Sequence, residues 1–170
     1  LNAREAFPKV RYLPSLFDRL RDHDPRSPHE RPDAYAPDAA AMQRLIQRDL
    51  ALLLNTSNLG AALDAARHPQ AARSAVNYGL PPLSGSLRAQ HNASSIEKLV
   101  RETIVAFEPR LIPETLSVRV LPPAQPGSYN VIHLEIKALM HWSPYPLEFL
   151  VQTRYDLESS HASVDGRSGF

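Results

Sequence analysis

Glu108 and Arg110 stand two positions apart with Pro109 between them. A carboxylate and a guanidinium at that spacing can work as acid and base, bind a charged partner, or tie a corner of the fold together. Each use needs different surroundings. The general acid of a glycosidase must hold its proton near neutral pH, which takes an apolar pocket and a second carboxylate roughly 5–9.5 Å away. A nearby cation favours the ionised carboxylate instead, and the sequence indicates no second acid. The expectation is a rigid pair of opposite charges and no enzyme, with Glu108, Pro109 and Arg110 as partner-binding residues.

Other chemistry is thinly represented. The chain has seven histidines: His23, His29, His68, His91, His133, His141 and His161. None shares ligand spacing with another on a helix face and no HExxH occurs, so no metal site is expected. Neither Leu83-Ser84-Gly85-Ser86 nor Arg167-Ser168-Gly169 is a nucleophile elbow. Phosphate-cradling glycine loops are missing too, and no cofactor is expected. With no cysteine, thiolate sites and disulfides are excluded. Lys and Arg number 19 against 18 Asp and Glu, a balance that calls for neither nucleic acid nor anionic lipid as a partner. The longest unbroken aliphatic run, around Ala51 to Leu54, is far short of the roughly 20 residues of a membrane span.

The pair must be positioned by the elements around it. Ser94 and Glu97 have capping-box spacing, and Ile96, Leu99, Val100, Thr103, Ile104 and Phe107 form one apolar stripe, so a helix should end at Pro109. That puts Glu108 at the negative end of the helix dipole, unfavourable by about 0.3–1 kcal/mol unless compensated. An earlier helix follows from Met42, Leu45, Ile46, Leu50, Leu53 and Leu54, with Asp38 as its cap and Asn55 as its end; Gln43, Arg44, Gln47 and Arg48 take its other face. Another is expected from Pro69 to Tyr78, stopped by Gly79. Leu80 to Gly85 must be extended or turned, because residues before proline avoid the helical region.

The period then changes from 3.6 to 2. Leu116, Val118 and Val120 alternate with polar residues, as do Ile132, Leu134, Ile136 and Ala138, and again Leu147, Phe149, Val151 and Tyr155. Turn-rich connections at 122–130 and 141–146 join them. The expected fold class is α+β, with helices packed on one face of a small antiparallel three-stranded sheet. Residues 38–170 should form this domain, and 159–170 suggest only a turn at Asp165-Gly166. Residues 1–37 should be a short helix, Ser15 to Leu20 with Ser15 and Asp18 as capping box, followed by a flexible proline-rich linker. That helix is expected to dock on its own domain.

Several motifs in this order resemble the TssE family, baseplate subunits of type VI secretion systems akin to the phage-baseplate lysozyme-like proteins. They are Ser15-Leu16-Phe17-Asp18-Arg19-Leu20, Arg48-Asp49-Leu50-Ala51-Leu52-Leu53-Leu54-Asn55-Thr56 and Ser74-Ala75-Val76-Asn77-Tyr78-Gly79-Leu80-Pro81. Leu83-Ser84-Gly85, Phe107-Glu108-Pro109-Arg110-Leu111 and Thr153-Arg154-Tyr155-Asp156-Leu157-Glu158 complete the set. Pro82 stands where the family usually has an acid. The resemblance implies a structural role with other baseplate wedge subunits and sheath proteins as partners, and no small-molecule substrate. It implies a cytoplasmic place at a baseplate docked on the inner membrane complex. It also implies that sheath arms pair with the sheet and start sheath assembly, and that the Glu108-Pro109-Arg110 corner engages the helical core of the wedge. Asn77, Tyr78 and Gly79 join the partner-binding set. Open sheet edges suit strand pairing. Two other readings remain at this level: an anti-adaptor that binds a response regulator, and a peptidoglycan-cleaving muramidase.

Overall fold

The computed structural model describes residues 14–21, 25–26, 37–60, 62–81, 93–122 and 130–166. The linker expected after residue 20 lies almost wholly outside them, as do Leu83 to Ser86, His23, His29, His91 and most of the 122–130 turn.

Helix α1 (Leu16–Arg19) is short and capped by Ser15, whose hydroxyl accepts from the Asp18 N–H and donates to the Asp18 carboxylate. Helix α2 (Ala39–Leu54) starts where Asp38 accepts from the Ala41 N–H at 2.6 Å. Its apolar stripe buries Met42, Ile46, Leu50, Leu53 and Leu54. The helix expected over 69–78 is two pieces instead. Helix α3 (Pro69–Ala72) stops early, and a 3-10 turn (Ala75–Asn77) follows, because Ser74 accepts from the Val76 N–H and donates to the Ala71 carbonyl. Neither piece buries a residue, so no apolar stripe holds one longer helix together.

Helix α4 (Ala93–Phe107) buries Ile96, Val100, Thr103 and Ile104. The capping box expected there does not form. Ser94 lies inside the helical run, and the Glu97 carboxylate accepts from the Val120 N–H at 2.8 Å.

Among the described residues the sheet has four strands, not three: β1 (Ser117–Leu121), β2 (Val131–Met140), β3 (Leu147–Asp156) and β4 (His161–Gly166). They lie in chain order with every neighbouring pair antiparallel. Val120 faces Leu134, Ile136 faces Val151, and Tyr155 faces Ala162. Strand β4 supplies only Ala162 and Val164 to the apolar side, which left its alternation too faint to read. The turn before it is made by Asp156, whose carboxylate accepts the N–H groups of Glu158 and Ser159, and by Ser160 at φ 52°. Asp165-Gly166, read as a turn, is the end of this strand.

One sheet face carries Val118, Leu134, Ile136, Ala138, Met140, Phe149, Val151 and Tyr155 into the core, which Ile46, Leu50, Val100 and Ile104 complete from the helices. Lys137 and Arg154 on the opposite face are exposed. Helix α2 lies along β4 and α4 along β1, so the helices sit on one side of the sheet as the period change implied.

Candidate interaction site at the helix-to-sheet corner

Helix α4 ends with the Glu108 N–H still donating to the Ile104 carbonyl at 2.8 Å. The chain turns through Pro109 and runs beside the end of β2, where Ile112 N–H meets Leu139 C=O and His141 N–H meets Arg110 C=O. That turn brings the Arg110 guanidinium back over Glu108. Glu108 Oε1 accepts from the Arg110 backbone N–H at 3.1 Å and from Nε at 2.7 Å, and Oε2 accepts from Nη2. Glu108 is only 4% exposed. The unfavourable dipole position is thus offset by a bidentate, charge-assisted pair.

The same Arg110 Nη2 donates to Asp49 Oδ2 at 2.6 Å. Asp49 lies on α2, 61 residues before Arg110 in the chain, and no local motif links the two. Asp49 Oδ1 in turn accepts from Arg48 Nε at 2.9 Å, and Arg48 Nη1 reaches Asp18 Oδ1 at 2.6 Å on α1. One alternating chain of charges, Glu108, Arg110, Asp49, Arg48 and Asp18, therefore links the α4 terminus, α2 and α1. Burial pulls the Arg110 pKa down, but its bonds to Glu108 and Asp49 outweigh that and the net shift is upward. The hydrogen bond from Arg48 holds the Asp18 carboxyl well below the usual range. Helix α1 docks on its own domain through this polar pair, while Leu16, Phe17 and Leu20 stay exposed.

The second predicted group sits against the first. The Tyr78 ring packs edge-on against Phe107 at 5.2 Å between centroids. Burial raises the Tyr78 pKa, and the charges of Asp49 and Glu108 add to the rise. Asn77 turns inward: its Oδ1 accepts from the Leu59 N–H and its Nδ2 donates to the Ala72 carbonyl. Gly79, at φ +115°, allows the chain to pass Thr56 so closely that an added Cβ would stand 2.1 Å from the Thr56 carbonyl oxygen. Leu80 N–H then donates to that carbonyl and Leu80 C=O accepts from Asn58 N–H, which fixes Tyr78 over the corner. Around this cluster Pro109 is exposed, and Tyr78 and Arg110 are partly so.

On both rims of the sheet, side chains engage outward backbone groups. Asn55 brackets Ala162, accepting from its N–H at 2.7 Å and donating to its C=O at 2.8 Å. Gln47, two turns earlier on the same face of α2, donates to the Val164 carbonyl at 2.9 Å. On the other rim Glu97 takes the Val120 N–H, and Arg101 Nε donates to the Leu116 carbonyl at 3.2 Å. Gln47 and Asn55 looked like a wet face and a helix stop; their i, i+8 spacing was the signal for a shared edge.

Among the described residues no cluster of His, Asp and Glu could hold a metal ion, and no helix is long and apolar enough to cross a membrane. Residues 40–145 match the family model described as baseplate wedge protein gp25. That span contains Asp49, Asn77 to Gly79 and Glu108 to Arg110. No curated protein and no solved structure matches the chain.

Proposed function

The chain belongs to the gp25 family of baseplate wedge proteins, and on that premise we propose that it is the TssE-type structural subunit of a type VI secretion baseplate. In this reading it works in the cytoplasm, at a baseplate docked on the inner membrane complex. It joins the wedge to the contractile sheath and starts sheath assembly by strand pairing. The observation that carries the reading is the corner inside the matched span: Glu108, 4% exposed, holds Arg110 against Asp49 and leaves Pro109 outermost. A carboxylate used this way fixes a surface. The wedge subunits then meet Pro109, the outer part of Arg110 and Tyr78, with Glu108 as the positioning residue behind them.

The geometry also supports a non-enzymatic role. A general acid needs an oxygen free to carry a proton toward its substrate. Both oxygens of Glu108 accept from Arg110, and the neighbouring Asp49 is bridged by the same guanidinium.

Tagged full-length chain, purified from cells that assemble the particle, should bring down baseplate and sheath proteins together. Pro109→Glu, at an exposed position that leaves the buried fork intact, should lose the wedge proteins with the melting temperature moved by no more than a few degrees. Recovery of a single response regulator would support the anti-adaptor reading instead. Peptidoglycan turnover by the purified chain, lost in Glu108→Gln, would revive the muramidase.

A further inference from the structure

Arg48 carries two carboxylates at once, and they reach it from different parts of the chain. Asp49 Oδ1 accepts from its Nε at 2.9 Å and from its Nη2 at 2.6 Å. Asp18 takes the outer edge of the guanidinium, with Oδ1 accepting from Nη1 at 2.6 Å and Oδ2 from Nη2 at 2.9 Å. Asp49 is in turn gripped by Arg110 through its other oxygen. The inner edge of Arg48 is therefore aimed from the corner, by bonds that do not pass through Asp18. A planar fork held from behind is pre-organised for a carboxylate, so little side-chain freedom is lost when one binds.

The carboxylate in that fork is lightly held. Helix α1, which supplies it, buries none of its own residues, while Pro14 just before it is buried and gives the helix a root about which to turn. The Arg48 side chain is 45% exposed, so water competes for the bond. Asp18 is also the end of an alternating row. Without it Glu108, Arg110, Asp49 and Arg48 balance as two acids and two arginines, and the row ends on a cation. Arg44, one turn before Arg48 on the same face of α2, is exposed and adds positive charge beside that end.

We infer that Asp18 is an internal stand-in: the Arg48 fork is a docking point for an acidic side chain of a wedge subunit, and α1 covers it until that subunit arrives. This rests on the wedge function proposed above and adds to it a second contact and its control. The bound Asp18 shows which chemistry the fork takes. The occupant follows from place, because Arg48 and Arg110 share Asp49, and a subunit seated on Pro109 and Tyr78 has the fork beside it. Its acidic group competes with Asp18, so the apparent affinity of the unmutated chain is reduced to the fraction in which α1 has let go. For an exposed ion pair that reduction is about two- to fivefold.

Asp18→Ala and Arg48→Ala break the same bond, and they should act in opposite directions when the full chain is titrated with purified wedge subunits. Asp18→Ala should bind about two- to fivefold tighter than the unmutated chain, because the fork stands open. Arg48→Ala should bind at least about fivefold weaker, having lost the fork. The double variant should bind like Arg48→Ala, since Asp18 acts only through the guanidinium. A spin label on Leu20→Cys reads the same event with both charges present: slow motion in the chain alone, and fast motion once the wedge subunits are added. Asp18→Ala that binds no tighter than the unmutated chain overturns the inference, and one that binds weaker makes α1 itself the contact. A double variant tighter than Arg48→Ala, an Arg48→Ala chain that binds undiminished, or a Leu20 label that stays slow in the complex overturns it as well. Wedge subunits that bind no form of the chain remove the function proposed above, an outcome distinct from all of these.

Discussion

The chain of charges has a dry end and a wet end, built from the same chemistry. At the dry end Arg110 grips Glu108 and Asp49, with side-chain exposures of 12% for the arginine and 4% for Glu108. At the wet end Arg48 grips Asp18 with an equally good fork, at 2.6 and 2.9 Å, but the Arg48 side chain is 45% exposed. Geometry alone would rank the two alike. Burial separates them. An ion pair in solvent contributes little, because water competes for both partners, whereas a buried pair commits each partner to the other. The corner is therefore a fixed part of the fold, and α1 is a tethered arm that can let go. Its residues Leu16, Phe17 and Leu20, at 63%, 80% and 73% exposure, are not held by the domain core.

The largest test of that contrast is to strip one partner from the dry end. Glu108→Ala leaves Arg110 desolvated beside only Asp49, and should cost roughly 3–5 kcal/mol of unfolding free energy in denaturant titration. Arg110→Met combined with Glu108→Leu removes both charges at similar volume. It should recover most of that loss, because no unpaired charge stays buried. A double variant as unstable as Glu108→Ala would mean that the corner's value is shape, not charge. Next in size is Gly79→Ala. The positive φ and the 2.1 Å approach to Thr56 force the backbone to shift, at a cost of about 1–3 kcal/mol, with Tyr78 fluorescence or its ring resonances reporting the loss of its seat on Phe107.

The legible parts of this molecule were the ones written in periodic apolar residues. The stripe of α2, the stripe of α4 and the alternation in β1 to β3 each bury several large side chains, so pattern and structure agree. Strand β4 was missed for the converse reason: Ala162 is small, Val164 is half-buried, and the strand is held largely by its ladder to β3 and by Asn55 and Gln47. Of the corner, Glu108 and Arg110 could be picked out because proline locks their spacing. Asp49 could not, since its partnership depends on how α2 crosses the end of α4. Ser94 and Glu97 show the limit of a local motif: the capping-box spacing was present, and a tertiary hydrogen bond to Val120 claimed the glutamate. The fates of Asn77 and Gly79 are likewise tertiary, set by the close passage of 56–59 against 77–80.

At the wet end the expected effects are small in stability and large in position. Asp18→Ala or Arg48→Ala should lower global stability by under about 1 kcal/mol, as exposed pairs do. Either should free α1, seen as faster reorientation of a probe on Leu20→Cys, in a chain that has no other cysteine. The pH dependence has a definite sign. Asp18 is held below its ordinary value of about 3.9 in the folded state. Its contribution is therefore complete above that value and fades as the pH falls below it. As the pH falls below about 4 the probe on α1 should begin to loosen, with release completed only well below that value, while the Arg48→Ala chain, already free, shows no such step. Mobility that follows the same acid profile with and without Arg48 would mean that the arm is held by something other than this pair. The contrast between the two ends of the charge chain would then lose its physical basis.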